Sequence, residues 1–186
     1  MFVVGYATLT GLFLTAYVVI RQVGPTIQLR RHWRAGLVGG VLVGSILAYG
    51  VVSQPISPRA HTIELAGALV WLGVVYGTLD ALLLTVVPVL SVYGSRPSDL
   101  LRRGTSRMRL GGLALLASMV VTGAYHLGFA EFRGPTLVQP LIGNGIVTAG
   151  YLLTGSPLAA VLAHVIMHGA AVFHGMEGAA QLPPHY

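Results

Sequence analysis

Residues 157–175, PLAAVLAHVIMHGAAVFHG, carry His164, His168 and His174 and not one charged side chain. As a helix the run would be roughly 28 Å long, about the thickness of the hydrocarbon core of a bilayer. It therefore reads as a transmembrane helix with imidazoles inside. An ionisable group in that medium costs free energy unless it pairs, meets water or binds something, so these histidines are the first candidates for a site.

Composition extends this reading to the whole chain. Of 186 residues 54% are hydrophobic and 9% charged, and the mean hydropathy is +0.77, whereas a soluble domain carries about 25% charged residues. The expected fold is all-α: a polytopic transmembrane helix bundle of about six spans forming one domain, 1–186, in the lipid bilayer of a cell membrane. The absence of cysteine excludes disulfides, thiolate metal sites, Fe–S clusters and a Cys nucleophile, leaving His, Asp, Glu and hydroxyls for any chemistry. All eleven basic residues are Arg, which reads as the coding bias of a high-GC prokaryote. The net charge of +6 does not point to nucleic acid, because the arginines lie in loops between apolar runs, where they set orientation.

Working back through the chain, residues 2–20 form a first apolar run without a charged leader or cleavage site and read as a retained span. The loop 21–34 holds Arg21, Arg30, Arg31 and Arg34 around Gly24-Pro25. The second span, 35–52, sets Gly36, Gly40, Gly44 and Ala48 on one face, a small-residue stripe that lets another helix approach closely. The run 62–93 is longer than one perpendicular crossing needs and must tilt, kink near Pro88 or emerge from the bilayer. Glu64 can reach interfacial water at its end. Asp80 stands near its middle and should face the protein interior with a partner.

Five arginines and Asp99 occupy 94–109. A fourth span, 110–127, ends in Tyr125 and His126, and the turn after it carries Glu131 and Arg133. The last two apolar segments, 137–153 and 157–175, are either two full spans joined by a tight turn or a broken, re-entrant hairpin. In the second case Asn144 lines a cavity, since irregular backbone at membrane depth is tolerated only there or where it is buried. The two Arg-rich loops place both termini outside the cytoplasm, a count with which the tail carrying Glu177 agrees. His61, His126, Glu131 and His174 then gather toward the outer leaflet, with His164, His168 and Asp80 deeper.

His164 and His168, four residues apart, share a helix face, the way a helix offers two imidazoles to one metal. A third ligand would come from His126, Asp80 or Glu131, while His174 is rotated by roughly a right angle from that face. Zinc suits neutral imidazoles. No Glu stands between the two, so this is not the HExxH zinc-protease pattern. Haem b held by His126 and His168, or polar contacts between helices with no cofactor, are the other readings of the same residues.

The closing pattern Gly155-Ser156-Pro157-Leu158…Ala163-His164-x-x-x-His168, with the Arg133-Gly134 turn, resembles the end of the CPBP family of intramembrane proteases, which includes CAAX prenyl proteases and bacteriocin-immunity (Abi) proteins. The site of that family combines a Glu pair followed by Arg, an FxxxH motif, and a final His followed four residues later by Asn or another small or polar residue. Here there is no Glu pair, Thr122 stands where Phe precedes the histidine, and Asp80 is a lone acid. The resemblance covers the last third of the chain and implies a multi-helix membrane fold and intramembrane peptidase chemistry.

Three functions follow as expectations. The first is a metal-dependent intramembrane hydrolase, with His126, His164 and His168 on the ion and Asp80 or Glu131 moving protons. The second is a haem-binding redox subunit. The third is a noncatalytic scaffold or partner of other membrane subunits. The loop charges make the topology testable: cysteines introduced at Ser57 and Ser98 should be labelled by an impermeant thiol reagent from opposite sides of the membrane. Labelling from one side would reject this topology.

Overall fold

The computed structural model describes residues 2–22, 32–56, 63–94 and 105–175. Arg30, Arg31, Ser57, His61, Arg96, Ser98, Asp99, Arg102, Arg103 and Glu177 lie outside them, and with them most of the loops and the tail used to assign the topology. Among the described residues the structure is entirely helical, and six helices are long and apolar enough to cross a bilayer. They are α1 (Phe2–Arg21), α2 (Trp33–Val52), α3 (Ile63–Tyr93), α4 (Thr105–Leu127), α5 (Val138–Thr154) and α6 (Pro157–His174). The chain is a multi-pass membrane protein.

The last two segments are full helices and not a broken hairpin. Pro140 falls in the first turn of α5, where its missing N–H would have had no intrahelical acceptor. Gly155 ends that helix in the left-handed conformation, at φ 65°, and Pro157 opens the next. Two residues between helices force α5 and α6 to lie antiparallel side by side.

The glycine stripe does what its spacing suggests. Packing against α6, Gly36 faces Ser156 and Leu158, Gly40 faces Leu162 and Ala159, and Gly44 faces Ile166 and Ala163. A methyl group on Gly40 would lie 2.7 Å from Leu162 Cβ and 3.0 Å from the Ala159 carbonyl oxygen. Across α6 a second seam, unremarked in the sequence, clamps the same helix. A methyl on Gly77 of α3 would stand 3.1 Å from His168 Cδ2 and 3.3 Å from the His164 carbonyl, and one on Gly73 3.4 Å from Gly169 Cα. The histidine helix is held between two glycine-bearing neighbours.

The long third span runs unbroken. It is wound as π-helix over Leu69–Tyr76 and Ala81–Val86, on either side of the α-helical turn Gly77–Asp80. Such winding is rare and is often found at functional sites. In α-helical register Pro88 would leave the Leu84 carbonyl without its donor. That carbonyl instead accepts the Ser118 hydroxyl at 2.6 Å and the Asn144 amide at 3.2 Å.

Two cores fill the bundle. One contains Val86, Val89, Leu90, Tyr93, Val147 and Tyr151, and the other Val51, Leu72, Tyr76, Ala171 and Val172. By contrast α1 is exposed along most of its length, with Thr10 its one buried residue among those described. Tyr6 and Tyr17 tie it to α3, through Asp80 and Ser91.

Gly40→Ala should destabilise the protein by about 1–3 kcal/mol, the usual cost of overpacking. Gly39→Ala should be milder, since the methyl it meets belongs to the rotatable side chain of Thr154. Equal melting temperatures for the two variants in detergent would remove the stripe from the account.

Candidate functional site

Asp80, His164 and His168 come together, with His126 beside them, on the wall of one cavity of about 300 Å³. Tyr76, Tyr125, Asn144, Gln54 and Gln139 add further polar groups to its lining. Asp80 is 5% exposed and His168 2%. Asp80 Oδ1 accepts the Tyr6 hydroxyl at 2.6 Å, and Asp80 Oδ2 lies 3.5 Å from His168 Nε2. The acid therefore has the interior partners that its position in the span demanded.

The tautomers follow from the partners. The His126 Nδ1 is 2.8 Å from the Thr122 carbonyl and the His164 Nδ1 3.2 Å from the Ala160 carbonyl. A carbonyl only accepts, so in the neutral rings both Nδ1 atoms carry the proton and both Nε2 atoms carry a lone pair. His168 differs, because neither ring nitrogen has a hydrogen-bond partner within the protein. Its ring is packed edge-on by Tyr76, with centroids 5.2 Å apart, and lies nearly parallel to His164 at 6.0 Å.

Below the histidines a separate polar cluster is fully paired. Asn144 donates to Thr122 Oγ1 at 2.5 Å and to Ser118 Oγ at 2.9 Å, and its carbonyl accepts Thr85 Oγ1 at 2.6 Å. Thr148 and Ser118 join through their hydroxyls at 2.9 Å. This cluster bonds α3, α4 and α5 to one another. Asn144 lines the cavity from a regular helix and not from the broken hairpin on which its cavity position was predicated.

The other candidates lie elsewhere. Glu131 is exposed on the short 3-10 turn Ala130–Phe132 and does not line the cavity with Asp80. His174 is no bystander: its Nε2 donates to the Gln54 carbonyl at 2.6 Å, clasping the end of α6 to the end of α2. His61 falls outside the described residues.

A zinc centre does not fit these side chains. Among the described residues no three of His, Asp and Glu stand so as to hold an ion, and the expected set of His126, His164 and His168 is not assembled into one. A bis-imidazole haem needs two rings facing each other across one macrocycle. Here His168 and His126 each carry an edge-on tyrosine, Tyr76 and Tyr125, and those two tyrosines bond to each other at 2.8 Å.

Tyr6, Tyr76 and Tyr125 are the residues that sequence reasoning missed. Tyrosine within a span has no spacing signal of its own. The one available hint was Tyr76, four residues before Asp80 and so on the same face.

Comparison of the chain with protein-family models, with curated proteins and with solved structures finds no match.

Stability separates site from scaffold. Asn144→Leu should cost about 2 kcal/mol or more, since it strands hydroxyls in an apolar interior. His168→Met, which replaces a ring whose two nitrogens have no hydrogen-bond partner in the protein, should leave the melting temperature in detergent at or above that of the wild type. A loss as large as that of Asn144→Leu would make His168 a packing residue.

Proposed function

We propose that the protein is an intramembrane hydrolase in which Asp80 and His168 activate water for attack on a peptide bond presented within the bilayer. The observation that carries this reading is the buried Asp80–His168 pair at 3.5 Å on a cavity wall, with both imidazole nitrogens left without a hydrogen-bond partner in the protein. Ion pairs kept for packing are completed by further hydrogen bonds, as the Asn144 cluster is, whereas catalytic contacts are often long in the empty enzyme and tighten on substrate.

Once the 3.5 Å separation closes on substrate, Asp80 accepts from His168 Nε2–H and the lone pair lies on Nδ1. Nδ1 takes a proton from water as the water oxygen attacks the carbonyl carbon, and returns it to the amine nitrogen as the C–N bond breaks. Acid and amine are the products, and no oxidant or metal is required. Tyr6 holds the other carboxylate oxygen and fixes the orientation of Asp80, the role of the third group in such relays.

The resemblance to the CPBP family supports the same reading. The order of an acid in one span, Thr122-x-x-x-His126 in another and His164-x-x-x-His168 in the last follows the order of that family's motifs, with Asp80 in place of the Glu pair. The loop arginines support insertion in a cell membrane with both termini and the cavity's nearer end on the extracytoplasmic side.

The test uses the protein in proteoliposomes with quenched-fluorescent apolar peptides, including a farnesylated CAAX peptide. Asp80→Asn and His168→Gln should each lower turnover by about 10²–10⁴-fold. Phenanthroline should leave wild-type turnover unchanged. Undiminished cleavage by Asp80→Asn would overturn the mechanism, and inhibition by the chelator would return a metal to it.

A further inference from the structure

The second and fifth spans run antiparallel and part as they go. A methyl group on Gly150 would lie 2.9 Å from Val43 Cγ2, and one on Gly143 4.0 Å from Leu47 Cδ2. One on Gly50 would have nothing within 4 Å. The gap thus widens along α2 from Val43 toward Gln54, and along α5 from Gly150 toward Gln139. Ile46, Gly50, Ile142 and Gly143, which border it, line the cavity. Ile46 and Ile142 are 58% and 59% exposed, within helices that span the membrane. The cavity therefore has a lateral mouth between two spans, bordered by exposed isoleucines and, toward the helix ends, by Gln54 and Gln139.

Glycine inside a helix is unfavourable relative to alanine. Close packing explains Gly36, Gly40, Gly44 and Gly150. It explains neither Gly50 nor Gly143, both of which line the cavity beside the mouth. The cavity behind it is lined by isoleucine and leucine between the two helices, with Gln54 and Gln139 at their ends, and by Asp80, His126, His164 and His168 at the base. The base offers acceptors, namely a carboxylate and the Nε2 lone pairs of His126 and His164. At about 300 Å³ the volume is at the small end of ligand pockets, enough for one chain and not for a two-tailed lipid.

We propose that the gap between α2 and α5 is a lateral portal through which a single apolar chain with a hydrogen-bond-donating, cationic head enters from the bilayer. The head meets Asp80 and the imidazoles, the chain lies along Ile46 and Ile142, and Gly50 and Gly143 keep the passage clear. The proposal rests on the cavity being the site named above and does not require hydrolysis.

The probe is dodecylamine carrying a photoactivatable diazirine in its chain, used on the full-length protein in nanodiscs, with the matching dodecanoate as comparison. Wild-type protein should be labelled by the amine on residues lining the portal, with excess dodecylamine suppressing the label. Gly50→Trp and Gly143→Trp should each reduce labelling at least tenfold. Gly67→Trp, at an open position outside the cavity, should not change it. Ile142→Trp gives a third blocking variant should either glycine variant fail to fold. Full labelling of any blocking variant that melts as the wild type does would overturn the portal. Equal labelling by dodecanoate would overturn the assignment of the head. Portal labelling with no peptide cleavage would reject the hydrolase and leave the portal standing.

Discussion

Everything at the site depends on how closely α6 can approach its neighbours. In lipid no hydrophobic force drives helices together, so contact must come from backbone surfaces near enough for dispersion to accumulate. Gly40 provides this on one side, against Ala159 and Leu162, and Gly77 on the other, against His164, Val165 and His168. The two seams fix both the rotation and the depth of α6. Because His164 and His168 follow each other one turn apart, fixing one fixes both. The imidazoles then face Asp80, which lies one turn from Gly77 on α3.

The intramembrane polar groups divide into two populations. Around Asn144, Thr85, Ser118, Thr122 and Thr148 make bonds to one another and to a carbonyl in the register disturbed by Pro88. Each donor there has an acceptor, as an environment without water requires. Around Asp80 the accounting is incomplete, since the His168 nitrogens lack partners while the carboxylate beside them is shared with Tyr6. The two groups meet at Thr122, whose hydroxyl accepts from Asn144 and whose carbonyl accepts from His126. The fully paired cluster thereby orients one ring of the other group.

Much of this was legible in the sequence for physical reasons. Runs of apolar residues as long as a bilayer is thick have few alternatives, and a stripe such as Gly36, Gly40, Gly44 says that a helix packs there without saying which. Asp80, His164 and His168 were recognisable because ionisable residues deep in a span must meet something. What they meet was not recognisable, because it depends on rotations set by other helices: Tyr6 is 74 residues from Asp80 in the chain. The π-helical winding of α3 left no trace either, since a stretch such as LVWLGVVY is apolar on every side and shows no period to shift. Glu131 illustrates the opposite error, a carboxylate that catches attention by type and then lies exposed on a turn.

The ends of the bundle are built to different ends. Where Arg107 reaches the Leu152 carbonyl at the end of α5, a cation meets the negative pole of a helix dipole, and Val43 closes on Gly150. At the opposite end α2 and α5 separate, and one long-range bond, from His174 to Gln54, holds the close of α6 to the close of α2. A cavity with incompletely paired groups lowers stability, and such a site persists only when the surrounding packing over-determines the fold. The tight end, the double glycine clamp and the Asn144 cluster supply that excess. The helix that contributes Tyr6 is mostly exposed and joins the others through the Tyr6 hydroxyl on Asp80, the Tyr6 ring against Tyr76 and Tyr125, and the Tyr17 hydroxyl beside Ser91.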